Sequence, residues 1–243
     1  MGLHDGPWLC KAAGAPGECR KGGVARRMKR GALLLRMHEA MAAALGPSGW
    51  WPAETPFEMA VGAILAQNTN WANASRAVAN LKGSGAFSAR GLCGLETARL
   101  EELLRPAGHF RVKAARLTNL LDFVVRELGG EIEALGNWDM TAAREALLAV
   151  RGVGPETADS ILLYGLGFPS FVVDAYTARI CARHGLVPEE AGYDELRELF
   201  MDALPADAAL YNELHAQLVR VGNGWCRPRG PRCTDCPLGE FLS

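Results

Sequence analysis

Residues 150–158, V-R-G-V-G-P-E-T-A, restrict the fold of this chain more than any other part of the sequence. They separate two segments with helical periodicity, and Pro155 suits the first turn of the second helix because its missing N–H would have no partner there. Gly152 and Gly154 tolerate positive φ and let the backbone come close to a ligand. The stretch predicts either a helix–hairpin–helix whose exposed N–H groups can donate to a phosphate, or an ordinary corner between helices with a glycine cap.

Helical periodicity extends through most of the chain. From Ala32 onward, apolar residues recur at intervals of three and four residues, and nearly every gap contains Gly, Pro, Asn or Ser. Alternation with period two is confined to residues 170–173. The sequence therefore predicts an all-α protein of about ten helices. The predicted segments are 32–45, 57–67, 72–81, 98–104, 113–128, 141–150, 155–166, 174–184, 193–203 and 206–221.

The distribution of charge says more about partners than its total does. The formal net charge is −1, yet seven basic residues without an acid fall between positions 20 and 36, which leaves −8 for the rest of the chain. Residues 1–30 are rich in glycine and predict a flexible basic extension, either a solvated tail or an arm that contacts phosphates. The basic residues are Arg20, Lys21, Arg26, Arg27, Lys29, Arg30 and Arg36.

The cysteines and apolar runs indicate the compartment. The chain has seven cysteines, an odd number, and its first thirty residues lack the apolar segment of a signal peptide. Both features favour a reducing, cytoplasmic setting over a disulfide framework. No apolar run approaches the roughly 18 residues of a membrane span, so we expect no membrane partner.

Three separate motifs resemble those of the endonuclease III superfamily of DNA glycosylases. Residues 148–158, together with Asp174, which lies eighteen residues after Glu156, are similar to its helix-hairpin-helix and Gly/Pro-Asp signature. Residues 65–69, L-A-Q-N-T, resemble its L-x-Q-x-T segment. The C-terminal C-x6-C-x2-C-P, residues 226–237, resembles its iron–sulfur loop.

The resemblance covers about residues 32–243 and implies a two-domain helix-hairpin-helix DNA glycosylase fold with a DNA-binding cleft between the domains. Residues 52–170 would form a six-helix barrel domain that includes the hairpin. Residues 31–51 and 171–243 would form the second helical domain with the C-terminal cysteine loop, and residues 1–30 would lie outside both. The hairpin residues implied to contact DNA are Gly152, Val153, Gly154 and Thr157.

The position of one missing lysine bears on the chemistry. Bifunctional members of this superfamily carry a lysine two positions after the second hairpin glycine, where this chain has Glu156. Because a glutamate cannot form an imine, we expect hydrolysis without AP lyase activity. Asp174 is the candidate catalytic carboxylate, which would stabilise positive charge on the sugar and position or deprotonate water, and it can also be a helix N-cap. Glu156 is interpreted as a first-turn acid that favours the helix dipole, with a direct catalytic role left open.

Tryptophans indicate which base is recognised. Trp50-Trp51-Pro52, the Q-N-T-x-aromatic string that ends at Trp71, and the hairpin string G-x-G-x-E-[ST]-A-D are most similar to the 3-methyladenine glycosylase branch. The resemblance implies that Trp50, Trp51 and Trp71 line the base pocket, while core packing is the other role open to them. An N-alkylated purine carries positive charge, which indole faces attract by about 0.5–2 kcal/mol per contact.

The resemblance also implies two wedge residues, which are side chains that insert into the DNA, and a loop whose cysteines bind an iron–sulfur cluster. Gln67 would enter the gap left by the flipped base, or be a buried glutamine with its hydrogen bonds made, and His109 would form a second wedge in the minor groove. A [4Fe–4S] site of this family needs a cysteine at position 242, where the chain has Leu242. Three thiolates can bind a cluster with a fourth ligand from elsewhere or from water, or the loop keeps its shape without metal. The thiolates are those of Cys226, Cys233 and Cys236.

The sequence thus predicts a monofunctional DNA glycosylase that removes alkylated purines such as 3-methyladenine in base excision repair. We expect a monomer that acts on double-stranded DNA with damaged bases, in the cytoplasm and associated with the nucleoid. Two alternatives stay open: a glycosylase for mismatched or oxidised bases, and a non-enzymatic helix-hairpin-helix protein that only grips the DNA backbone.

Overall fold

The structure, a computed structural model, describes residues 16–242, with side chains from Met28 onward. Residues 16–242 form α-helices, short 3₁₀ turns and one π-helical turn and contain no β-strand, which confirms the predicted all-α class. The helices are α1 (Pro16–Leu45), α2 (Pro56–Ala66), α3 (Trp71–Gly83), α4 (Ala89–Cys93), α5 (Thr97–Leu104), α6 (Phe110–Glu127), α7 (Met140–Ala149), α8 (Pro155–Ser160), α9 (Ala175–Arg183), α10 (Tyr193–Ala203) and α11 (Ala208–Gly224).

Local sequence explains most of the helix starts. Six of these helices begin after a residue whose side-chain oxygen accepts a hydrogen bond from a first-turn N–H, an interaction that contributes about 1 kcal/mol. Pro56 and Pro155 also open their helices, as proline at the first position should. The capping residues are Thr55, Asn70, Ser88, Asp139, Asp174 and Asp207.

Helix α1 differs from the flexible extension that the sequence predicts. It begins at Pro16, whereas the apolar pattern predicts a start at Ala32. Glycines within a helix cost about 1 kcal/mol each, which is why residues 16–31 favour an irregular segment on sequence grounds. At Gly31 the glycine has a packing reason, because an added Cβ would lie 2.3 Å from the carbonyl oxygen of Ala203. Residues 1–15 and the side chains of Arg20, Lys21, Arg26 and Arg27 lie outside the described part of the chain.

Buried apolar side chains form two clusters. The first runs from Met59 to Leu162, and the second combines α1 residues with residues from Leu163 to Leu238. In the second cluster Phe171 and Phe200 stack with ring centroids 3.9 Å apart. The chain passes from one cluster to the other at the π-helical turn Ile161–Gly165, which continues α8. The exact limits of the predicted domains stay a prediction.

Asp159 of α8 is a buried ionic centre that joins several elements. Its carboxylate accepts three hydrogen bonds from Arg144 of α7, with Nε to Oδ1 at 2.9 Å, Nε to Oδ2 at 3.2 Å and Nη2 to Oδ2 at 3.0 Å. The hydroxyls of Ser170 and Tyr193 donate at 2.5 and 2.8 Å, and Arg197 Nε of α10 lies 3.3 Å from Oδ1. Both oxygens of this carboxylate are therefore fully engaged.

No helix in residues 16–242 combines the length and apolar character needed to cross a membrane.

Candidate active site

The predicted hairpin between α7 and α8 is present. Gly152 has a φ of +99°, and an added Cβ there would lie 2.4 Å from Cγ of Arg116, so a larger residue would both strain the turn and collide with α6. Val153 is buried, and Gly154 precedes the first residue of α8, Pro155. Thr157 is also buried, and its hydroxyl accepts a hydrogen bond from Gln67 on the protein side of the hairpin.

Of the two carboxylate oxygens of Asp174, Oδ1 accepts hydrogen bonds from the described residues and Oδ2 accepts none. It caps α9, and its Oδ1 accepts hydrogen bonds from the Thr177 backbone N–H at 2.7 Å and the Thr177 hydroxyl at 2.9 Å. Its side chain is 13% exposed. Every contact recorded between Asp174 and the described residues uses Oδ1, so Oδ2 is available to a ligand. The residue is thus both the N-cap and a candidate for chemistry.

A buried histidine that the sequence interpretation missed lies behind Asp174. His215 Nε2 is 3.8 Å from Asp174 Oδ1 and has no hydrogen-bond partner among the described residues, while its Nδ1 forms a short hydrogen bond with the Tyr164 hydroxyl. Burial lowers the pKa of His215 despite the opposing charge of Asp174, so the imidazole is neutral. Burial, followed by the Asp174 charge, raises the pKa of Tyr164. The only available signal was the position of His215 on the buried face of α11 beside Leu214 and Leu218.

Glu156 is electrostatically linked to Asp174. It lies in the first turn of α8, as expected, and the residue as a whole is exposed at the protein surface. Partial burial of its carboxyl group, followed by the negative charge of Asp174, raises its pKa to about 7. The site therefore holds a second acid, Glu156, whose raised pKa brings its titration close to neutral pH.

The three predicted tryptophans lie together. Trp51 is central, with ring centroids 4.7 Å from Trp50 and 4.8 Å from Trp71, both edge to face, and 5.5 Å from Tyr164. The indole N–H of Trp51 is buried and has no partner among the described residues, whereas the indole N–H of Trp50 faces the Tyr164 hydroxyl. Since a base stacked between two rings needs about 3.5–4 Å on each side, the cluster is closed here and would open to admit one.

The two predicted wedge residues differ in exposure and in the hydrogen bonds that hold them. Gln67 is half-buried, and its Nε2 donates to the Gly152 carbonyl at 3.0 Å and to the Thr157 hydroxyl at 2.9 Å, while Arg116 donates to its Oε1 at 2.5 Å. These contacts match the alternative of a glutamine with its hydrogen bonds made, and insertion into DNA stays a prediction. His109 is exposed at a turn with a φ of +43°.

The cysteine loop has three thiols that line one small cavity. Cys226 is buried with Arg183 Nη1 3.2 Å from its sulfur, Cys236 is half-buried, and Cys233 is exposed. Burial and the neighbouring Cys226 and Cys233 raise the pKa of Cys236 against the opposing effect of the Leu238 N–H. Leu242 lines the same cavity, so these residues do not complete a four-cysteine ligand set. Within residues 16–242 no cluster of His, Cys, Asp or Glu side chains is arranged to hold a single metal ion.

Comparison with known proteins places this geometry in a family. Residues 61–206 match the sequence profile of the HhH-GPD superfamily base excision DNA repair proteins. A protein of Methanocaldococcus jannaschii named as a DNA repair glycosylase is 43% identical over 210 residues, which cover 86% of this chain and 95% of that protein.

Two solved structures show the same fold. An endonuclease III in a non-covalent DNA complex has a TM-score of 0.75 at 20% identity, with 87% of this chain and 94% of that chain covered. The 3-methyladenine DNA glycosylase of H. pylori, bound to 1,N6-ethenoadenine, has a TM-score of 0.67 at 26% identity, with 80% and 97% covered. The profile match and the 43% identical relative show that this chain belongs to the HhH-GPD superfamily of base excision DNA repair proteins.

Proposed function

We propose that this protein is a monofunctional DNA glycosylase that hydrolyses the N-glycosidic bond of alkylated purines, such as 3-methyladenine, in double-stranded DNA. Family membership supports a DNA glycosylase in base excision repair. The finer proposal is carried by one observation, the pair of carboxylates in the site. Glu156 occupies the hairpin position of the lysine nucleophile, and Asp174 has an oxygen to spare.

The chemistry requires only groups that this site contains. The C1′–N bond breaks with its electron pair passing to the base, so a cationic alkylpurine leaves as a neutral molecule and positive charge develops on the sugar. The Asp174 carboxylate stabilises that charge. Water then forms the new C1′–O bond, and Asp174 or solvent takes the released proton. Burial lowers the pKa of His215, which lies behind Asp174, and so disfavours a full positive charge beside the carboxylate.

The tryptophan cluster supports a cationic base as the substrate. Three indoles and Tyr164 contact one another beside the carboxylates, and electron-rich ring faces attract a positive purine more than a neutral one. The unpaired N–H group of Trp51 is a donor that a bound base could satisfy. The relative from H. pylori, which is named a 3-methyladenine DNA glycosylase, supports the same choice.

The described lysines that lie nearest to the hairpin in sequence are both engaged elsewhere. Lys82 forms ion pairs with Glu54 and Glu58, and Lys113 is buried with its ammonium bonded to backbone carbonyls. An imine-forming nucleophile must be a free amine that can reach the sugar. Neither arrangement offers one, which supports hydrolysis over a lyase route.

A substrate panel tests the proposal directly. Incubation with alkylated genomic DNA, followed by mass spectrometry of the released bases, should detect 3-methyladenine, and the product should stay uncut at abasic sites until alkali is added. Borohydride should trap no protein–DNA adduct, with a bifunctional endonuclease III as the positive control. A trapped adduct would contradict hydrolysis. Release of mismatched or oxidised bases alone would favour the alternative glycosylase, and salt-sensitive binding without excision would favour a binding module.

The iron–sulfur cluster is a separate proposal. Three thiols around one cavity, in a family with such a loop, support it, and the apolar Leu242 counts against it. Quantification of iron and acid-labile sulfide in the purified protein is the test, and zinc or no metal would reject the cluster. No step of the reaction depends on it.

A further inference from the structure

Lys113 is a buried cation whose position the reaction does not explain. It lies in the first turns of α6 and is 2% exposed. Its Nζ donates to the carbonyl of Leu65 at 2.9 Å and to the carbonyl of Ala107 at 2.7 Å. Burial, followed by the charge of Arg116, lowers its pKa. Because a buried ammonium is costly unless it is hydrogen-bonded, these two contacts hold both carbonyls firmly in place.

Each of these carbonyls precedes an unusual turn. Asn68, three residues after Leu65, has a φ of +53°, and His109, two residues after Ala107, has a φ of +43°. Within the described part of the chain, Asn68 and His109 are the non-glycine residues with positive φ. Such conformations persist only where the surroundings enforce them. One ammonium therefore holds the starts of the two strained turns.

The same face of α6 also holds the hairpin. Lys113, Arg116 and Asn119 are spaced by three residues and so lie along one side of the helix. Arg116 donates to Gln67 and packs under Gly152, and Asn119 Nδ2 donates to the Arg151 carbonyl at 2.8 Å. Three separate turns that the family resemblance assigns to DNA contact are thus attached to a single polar stripe on one helix.

We propose that Lys113 is a positioning residue, which fixes the turn at Gln67 and Asn68 relative to the turn at His109 so that both engage the DNA at the displaced nucleotide together. It acts through the Leu65 and Ala107 carbonyls and does not itself touch DNA. Without the ammonium the two turns relax independently, while the phosphate contacts of the hairpin are retained. The inference rests on DNA as the partner and not on the choice of alkylated purines.

The experiment compares two duplexes that differ at one position, where one carries a tetrahydrofuran abasic analogue. Fluorescence anisotropy gives the affinity ratio between them for the wild type, for Lys113→Met, which removes the donors, and for Lys82→Met, a matched loss of a surface lysine. We expect Lys113→Met to lower the ratio about tenfold, as for the loss of a charge-assisted hydrogen bond, with affinity for the plain duplex unchanged. Lys82→Met should leave the ratio unchanged.

Thermal denaturation of each variant accompanies the binding assay. If Lys113→Met does not fold, Lys113→Gln, which keeps an N–H donor, takes its place, and an intermediate ratio is expected. An unchanged ratio in a folded variant, an equal loss on both duplexes, or failure of both variants to fold would each overturn the positioning role. Since the abasic analogue needs no excision, failure of the proposed glycosylase activity would appear separately in the substrate panel.

Discussion

Asp159 and Asp174 lie fifteen residues apart in the chain and have opposite environments. Asp159 is fully buried, and its two oxygens accept hydrogen bonds from Arg144, Ser170 and Tyr193, while Arg197 adds an ion pair at 3.3 Å. Asp174 is partly exposed and engages Thr177 through Oδ1. The comparison shows that the buried carboxylate has both oxygens bonded, whereas the partly exposed one keeps Oδ2 without a hydrogen bond to the described residues and so can serve a reaction.

The largest expected effect is on catalysis, at Asp174. Asp174→Asn keeps a good N-cap but removes the negative charge, so single-turnover excision of an alkylated purine should slow by about 10²–10⁴-fold. The melting temperature should change little. If the variant excised at the wild-type rate, Asp174 would be only a cap, and the contrast with Asp159 would disappear.

The next largest effect is on stability, at Asp159. Asp159→Asn leaves Arg144 and Arg197 without their buried counter-charge, and the free energy of unfolding should fall by about 3–5 kcal/mol in denaturant titrations. Asp194→Asn is the matched control, because Asp194 also pairs with Arg144, at 3.3 Å, but is exposed, and it should cost about 0–1 kcal/mol. Excision by the folded fraction should persist. A folded Asp159→Asn protein without activity would show that Asp159 has a role in the reaction.

The smallest effect is expected at Glu156, which is more exposed than either aspartate. Its pKa of about 7 means that it gains charge as the pH rises through neutrality, and a second carboxylate near the sugar should speed the departure of a cationic purine by about tenfold or less. The rate of the wild type should therefore rise across pH 6–8, about one unit on each side of that pKa. Glu156→Gln should flatten this profile, and a profile that Glu156→Gln leaves unchanged would contradict the coupling.

The pH dependence of thermal stability is the control for Glu156, and the direction of its change follows from the raised pKa. The folded-state pKa lies above the ordinary value of 4.5, so the protonated carboxyl is favoured in the folded state. The contribution of this carboxyl to the free energy of unfolding is fully present below pH 4.5 and is lost as the pH rises through about 7. Glu156→Gln should therefore raise the melting temperature relative to the wild type above pH 7, and this difference should vanish at acid pH.

Short-range features were predictable from the sequence, and long-range ones were not. The hairpin glycines, Pro155 and the N-cap role of Asp174 depend on neighbours within a few residues, which a local pattern records. Lys113 and His215 depend on partners 48 and 51 residues away, and the local sequence does not indicate these long-range contacts. Helix α4, with five residues, was too short for its periodicity to be recognised.

The π-helical turn Ile161–Gly165 determines how the chain tolerates the insertion or deletion of a residue. Successive residues of an α-helix are rotated by about 100° about the helix axis. A π-helical turn contains one extra residue, so it changes the direction in which all later side chains point relative to the earlier ones. Here Leu162 faces one core and Leu163 the other across that turn. Deletion of one residue there would convert the turn into regular α-helix. The segment that follows, which ends at Asp174, would then leave the helix in a different direction. A change in the length of this turn should therefore disturb the placement of Asp174 more than a substitution within it.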